Sequence, residues 1–170
     1  MIFPVKIRFA VITLSDRASR GEYEDLSGPA ITAMIREFFA AKSVNAEIEN
    51  VIIPDDPQRI SALLLNYRAQ GIEVVFTTGG TGLGPRDFTP DVVKPLLDKE
   101  IPGVMEMIRV KYGMIKPAAL VSRSIAGVTG KTLVYCLPGS LKAVGEYCHE
   151  ILPTIMHSIK MVLGIDDHNC

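Results

Sequence analysis

Apolar and polar positions along this chain fall into blocks whose period changes, and each change marks an element. Val5 to Leu14 (VKIRFAVITL) ends in a β-branched, apolar run, the pattern of a strand buried on both faces. The polar stretch Ser15 to Ser27, interrupted by Gly21, predicts a long loop. Ser27 has the chemistry of a helix cap, with Gly28 and Pro29 in the first turn and Ile31, Met34, Ile35 and Phe38 at helical spacing. A second strand, about Ala46 to Ile53, stops at Pro54. Asp56 then reads as an N-cap with Pro57 at the first helical position, and Ile60, Leu63, Leu64 and Tyr67 line one face. Gly71 ends that helix, and Ile72 to Thr78 (IEVVFTT) is a third buried strand.

This β-α-β-α-β order with short connections predicts a parallel sheet with helices on its faces. A glycine-rich loop follows from Gly79 to Asp87, then a helix opened by Thr89 with Pro90 at its first position, and another over about Gly103 to Tyr112. Two strand-like runs, ALVSRSIA and TLVYCL, flank the turn VTGK and predict a hairpin, hence one antiparallel strand. Ser140 caps a last amphipathic helix running to about Leu163, and the polar tail from Gly164 to Cys170 reads as loose. The expected fold class is α/β: a three-layer α/β/α sandwich, mostly parallel with one antiparallel strand, formed as a single domain over residues 1–170.

At 170 residues, 48% of them hydrophobic, the chain is long enough to bury a proper core. A net charge of −1 gives no bulk electrostatic reason to expect nucleic acid or an anionic membrane as partner. Any phosphate-bearing ligand must then be held locally, by loops and helix ends. No apolar run reaches membrane-spanning length, and Met1 to Thr13 lacks the features of a signal peptide. Cys136, Cys148 and Cys170 are odd in number, far apart and without a CxxC pair, which fits a reducing cytoplasm rather than a disulfide framework or zinc site.

The chemistry concentrates in TTGGTGLGPRDFTPD, Thr77 to Asp91, which leaves the carboxyl end of a buried strand, where ligands sit in open α/β sheets. Gly79, Gly80, Gly82 and Gly84 let backbone N–H groups approach an anion. Thr78 and Thr81 add hydroxyl donors, Arg86 adds a cationic fork suited to phosphate, and the Thr89-Pro90 helix start offers its positive end. Asp87 in that loop and Asp55 in IPDD fall at the same sheet edge. Carboxylates beside a phosphate site suit holding Mg²⁺ or accepting hydrogen bonds from a heterocycle. Asp56 is better read as a cap, and for Asp87 a turn carboxylate or an ion pair with Arg86 weighs about evenly against the ligand role. The loop after strand one brings Ser15, Asp16 and Arg17 to the same edge.

AGVTGKT, Ala126 to Thr132, ends like a phosphate-binding loop, but Ile125 stands where its first glycine belongs, and Thr132 leads into a strand rather than a helix. His149, His157 and His168 show no catalytic or metal-pair spacing, and the terminal DDHNC reads as solvated. No GxSxG motif is present to support acyl transfer.

SDRAS, IPD, TTGGTGLGPRDFTPD and LPGS, taken in order, resemble the MogA family of molybdopterin adenylyltransferases over about Ile7 to Leu163, and are similar to the gephyrin G domain. The resemblance implies transfer of AMP from Mg-ATP to the terminal phosphate of molybdopterin, with release of pyrophosphate, by a cytoplasmic homotrimer that precedes a molybdenum insertase. It implies catalytic roles for Asp55 and Asp87, with Asp87 also the candidate Mg²⁺ ligand. It places nucleotide and pterin contacts at Ser15, Asp16, Arg17, Thr78, Gly79, Gly80, Thr81, Gly82, Arg86, Pro138, Gly139 and Ser140. SRSIAGVTGKTLV and LPGS also resemble MoaB, whose glycine loop usually lacks the RD.TPD ending. The alternative is therefore a MoaB-like trimer that binds or carries molybdopterin without adenylylating it. A third reading is a nucleotide hydrolase like the domain found with nicotinamide-nucleotide amidases.

Overall fold

The computed structural model describes residues 6–165. Six strands form one sheet in the order β2-β1-β3-β6-β5-β4: β1 (Lys6–Leu14), β2 (Asn45–Ile53), β3 (Val74–Thr78), β4 (Lys99–Glu100), β5 (Ala126–Thr129) and β6 (Thr132–Leu137). β1 pairs in parallel with β2 and β3, and β3 with β6, whereas β5 runs antiparallel to both β6 and β4. A single reversed strand thus makes the two antiparallel pairs of an otherwise parallel sheet.

The helices are α1 (Asp16–Ser19), α2 (Ser27–Ala40), α3 (Pro57–Gln70), α4 (Thr89–Val93), α5 (Pro102–Gly113) and α6 (Leu141–Val162). Alternate residues of β1 feed two cores. Ile7, Phe9 and Val11 pack with residues of α2, α5 and α6 on one face. Ala10, Ile12 and Leu14 pack with Ile60, Leu64 and Tyr67 of α3 and Val93 of α4 on the other. This is why the strand ends in the near-continuous apolar run FAVITL: a parallel strand covered on both faces has no polar side there. α3 follows its sequence signals closely. Asp56 Oδ1 accepts from the Gln58 and Arg59 amides at 2.8 and 3.2 Å, and Gly71 closes the helix at φ 70°.

Several local expectations are corrected. Ser15 to Ser27 is not all loop, because the Ser15 hydroxyl accepts from the Ala18 amide at 3.1 Å and starts the short α1. Ser27 does not cap α2. The Asp25 carboxylate accepts from the Ser27 and Gly28 amides instead, and the Ser27 hydroxyl donates to the Gly139 carbonyl at 2.9 Å. A carboxylate is the stronger acceptor for helix-start amides, which releases the serine for a tertiary contact. ALVSRSIA is not a strand along its length. Pro117–Val121 forms a 3₁₀ turn, and only Ala126–Thr129 pairs with β6 across the turn at Gly130 and Lys131. β4, two residues long, is too short to leave a periodic signal. Among the described residues, no helix is long and apolar enough to cross a membrane. His168, Cys170 and the DDHNC tail lie outside the described residues.

Candidate functional site

Because β1, β2, β3 and β6 are parallel, the segments after Leu14, Ile53, Thr78 and Leu137 all emerge at one sheet edge. The chain passes from β1 outward to β2, then crosses back to β3 on the other side of β1, so β1 and β3 flank the point where the winding reverses. The glycine loop begins there. Gly79 has φ 109°, and a Cβ on it would lie 2.5 Å from the Leu14 carbonyl oxygen, so only glycine lets the ends of β1 and β3 meet this closely. Gly80, at φ 66°, lies against the Thr89 hydroxyl in the same way.

The loop is braced from beneath. The Gly79 amide donates to Leu137 O at 3.0 Å, the Thr89 hydroxyl to Gly79 O at 2.9 Å and the Thr89 amide to Gly80 O at 3.0 Å. Thr89 is fully buried, and its donors are committed to loop carbonyls. The expected helix start therefore braces the loop rather than presenting its positive end to a ligand. Thr78 likewise spends its hydroxyl proton on Pro138 O at 2.9 Å, tying the glycine loop to the Pro138–Ser140 connection. Ser140 caps α6, its hydroxyl accepting from the Ala143 amide at 3.3 Å.

Above this floor opens a cavity of about 480 Å³. Gly79 to Gly82 and Asp87 form one wall, and Pro138, Gly139 and Ser140 another. Tyr112, Tyr147 and Val121 give it an apolar side, with Lys116 and Lys142 also lining it. Burial, reinforced by a hydrogen bond to Glu150, pushes the Tyr112 hydroxyl up to about 12, so it stays neutral. A second cavity of about 370 Å³ lies against the same connection and shares Gly139 and Ser140, with Ser15, Tyr23, Asp25 and Thr78 around it.

Asp16, Arg17, Asp55 and Arg86 line neither cavity but share the sheet edge. The Asp55 amide donates to Asp16 Oδ1 at 3.0 Å and the Asp16 amide to Asp55 Oδ2 at 3.4 Å. Arg86 Nη1 lies 3.2 Å from Asp16 Oδ2 with its side chain 77% exposed. Arg86 thus pairs with Asp16, and the alternative of an Arg86–Asp87 ion pair is not what the fold makes. Burial raises the Asp55 carboxyl above the ordinary carboxylate range, and the negative charges of Asp16 and Asp87 add to the rise against the lowering effect of the Asp16 amide and Arg86. Arg17 stacks its guanidinium on exposed Tyr23, 5.1 Å from the ring centre.

Asp87 Oδ2 accepts from the Gly84 amide at 2.8 Å, and a Cβ on Gly82 would lie 2.8 Å from that same oxygen. The glycines therefore leave room for the carboxylate. Arg123, which the sequence reading passed over, donates from Nε to Gly82 O at 2.8 Å, from Nη2 to Asp87 O and from Nη1 to both Asp91 oxygens at 2.8 Å. Its local signals were a cation between two serines, Ser122 and Ser124, and its place in the SRSIAGVTGKTLV stretch. His149 and His157 are exposed on α6.

The family described as "Probable molybdopterin binding domain" matches residues 10–157. The chain is 37% identical over 158 residues to gephyrin of Dictyostelium discoideum, covering 89% of this chain but 22% of that longer protein. It is 37% identical to a molybdenum cofactor biosynthesis bifunctional protein of Chlorobaculum tepidum, spanning 95% of this chain and 50% of that one. The molybdopterin adenylyltransferase of Helicobacter pylori (strain J99) is 35% identical over 93% of this chain and 89% of its own. Among solved structures, the molybdopterin biosynthesis enzyme MoaB of Thermus thermophilus superposes with a TM-score of 0.79 at 37% identity, covering 93% of this chain and 97% of that one. The chain belongs to the probable molybdopterin-binding domain family of molybdenum cofactor biosynthesis.

Proposed function

We infer that this chain acts as one domain that transfers AMP from Mg-ATP to the terminal phosphate of molybdopterin. The observation that carries the reading is the position of Asp87 and the backbone of Gly79 to Gly82 on one wall of a cavity large enough for a pterin-sized ligand. The similarity to an adenylyltransferase over nearly the whole chain supports it. In the reaction, a terminal phosphate oxygen of the pterin forms a bond to the α-phosphorus of ATP. The bond from that phosphorus to its bridging oxygen breaks, and pyrophosphate leaves with the electron pair. Such chemistry needs positioning and charge neutralisation rather than a protein nucleophile.

Each residue then has a task. Backbone amides of Gly80 to Gly82 and of Gly139 and Ser140 take phosphate oxygens, and the Arg86 guanidinium exchanges Asp16 for phosphate. Asp55, half-buried beside Asp16, orients the substrate. Asp87 fits Mg²⁺ as a hard carboxylate ligand. Among the described residues no group of three or more His, Cys, Asp or Glu could hold a metal, so phosphates and water would have to complete the coordination of that ion. When bound, Mg²⁺ offsets phosphate charge. We assign the protein to the cytoplasm as a homotrimer whose product passes to a molybdenum insertase.

The MoaB-like alternative has its own support in the 37% identity to the Thermus thermophilus protein. Purified protein with molybdopterin and Mg-ATP separates the two. Adenylylated pterin and pyrophosphate are expected, both lost in Asp87→Ala. Tight pterin binding without product would replace the transferase reading with a carrier.

A further inference from the structure

We propose that Arg123 is a positioning residue: it sets the shape of the Gly82 to Asp87 loop and thereby holds the Asp87 carboxylate at the cavity wall. The proposal rests on the adenylyl-transfer reading. One guanidinium reaches both ends of the loop, with Nε on Gly82 O at 2.8 Å and Nη2 on Asp87 O. Its third nitrogen, Nη1, lies 2.8 Å from each oxygen of Asp91 in the helix that follows, which fixes the plane of the fork. The Arg123 amide also donates to Thr81 O at 2.9 Å, so backbone and side chain span the loop from Thr81 to Asp87.

The loop does little to order itself. Within it the described bonds are the Asp87 amide to Gly84 O at 3.0 Å and the Gly84 amide to Asp87 Oδ2 at 2.8 Å. Leu83 at its tip is 72% exposed and adds no burial. Fixing a glycine-rich segment costs conformational entropy at each residue, so an external brace has to supply the order. The base of that brace is itself held. Ser122 and Ser124 share a hydrogen bond of 2.9 Å, and the Tyr147 hydroxyl on α6 donates to Ser122 at 3.1 Å. Arg123 thus couples the wall built from α6 and the 3₁₀ turn to the wall that carries Asp87. Lysine preserves the charge but not the reach, because one ammonium cannot bond Gly82 O, Asp87 O and Asp91 in the same plane.

The test uses the full chain with molybdopterin and Mg-ATP. Arg123→Lys is expected to lower kcat on the order of 100-fold while KM for ATP moves by less than about threefold, since misplacing one reacting group by an ångström has that effect. Amide exchange should quicken in residues 80–88 and stay unchanged in β1 and β3. In an Asp87→Asn background the same substitution should cost less than about threefold more, because it acts through a carboxylate already removed. Wild-type kcat in Arg123→Lys, a full further loss in the Asp87→Asn background, or exchange that rises equally across the sheet would each overturn the proposal. If the wild type makes no adenylylated pterin, the transfer reading fails and exchange alone decides. Faster exchange confined to 80–88 then still supports the brace, and unchanged protection there overturns it.

Discussion

Asp16 and Asp55 each accept the other's backbone amide, at 3.0 and 3.4 Å, and so lock the ends of β1 and β2 together at the proposed nucleotide edge. Two carboxylates this close are tolerated because amides and Arg86 face them, but burial still lifts the Asp55 carboxyl above its ordinary value of 3.8.

That shift gives a pH prediction with a defined sign. A carboxyl whose folded pKa is raised binds more protons in the folded than in the unfolded state between the two values. Its contribution to stability is present below 3.8 and is lost as pH rises through the folded value. Asp55→Asn keeps an acceptor for the Asp16 amide and does not ionise. The Tm difference, variant minus wild type, should therefore grow more positive from acid to neutral pH, while pterin-dependent activity falls. A difference that is flat with pH, measured by thermal unfolding at several pH values, would show that Asp55 titrates normally.

Gly79→Ala should be far more damaging than a surface glycine change. Its Cβ meets the Leu14 backbone oxygen at 2.5 Å, and neither strand end can yield without breaking the β1–β3 pairing. Strain at such a backbone position costs on the order of 1–3 kcal/mol before the clash is added. Gly103→Ala, where a Cβ meets nothing within 4 Å, is the matched control and should change stability by less than about 1 kcal/mol. Urea unfolding of the two variants gives the comparison, and equal midpoints would contradict it.

Cys136 and Cys148 should be silent to thiol reagents in the folded protein. Burial pushes both thiols up to about 12. At pH 8 the thiolate fraction is then on the order of one in ten thousand, and the thiolate is the reactive form. In a Cys170→Ser background, labelling should be negligible in buffer and reach both sites in denaturant. Prompt labelling without denaturant would mean that the core opens around β6 or α6.

The parts of this protein legible in its sequence are those governed by neighbours in the chain. The strand runs of β1 and β3, the Asp56-Pro57 helix start, the Gly71 stop, the Gly130 hairpin and the glycine loop each depend on local dihedral and burial preferences. The parallel order with one reversed strand also followed, because short connections leave few arrangements. Hydrogen-bond assignments across the fold did not follow. Thr89 read as a helix start offering its positive end but is buried beneath Gly79, and Ser27 read as a cap but bonds Gly139, 112 residues away. Arg86 meets Asp16, and Arg123, although inside the SRSIAGVTGKTLV stretch, carries no role until the fold sets it against Gly82, Asp87 and Asp91. The amino-acid order determined which segment would form the glycine-rich loop at the sheet edge, because a glycine's freedom is a property of the residue itself. Which distant side chain bonds to that loop was decided by the tertiary structure, since only folding brings donor and acceptor within 3 Å.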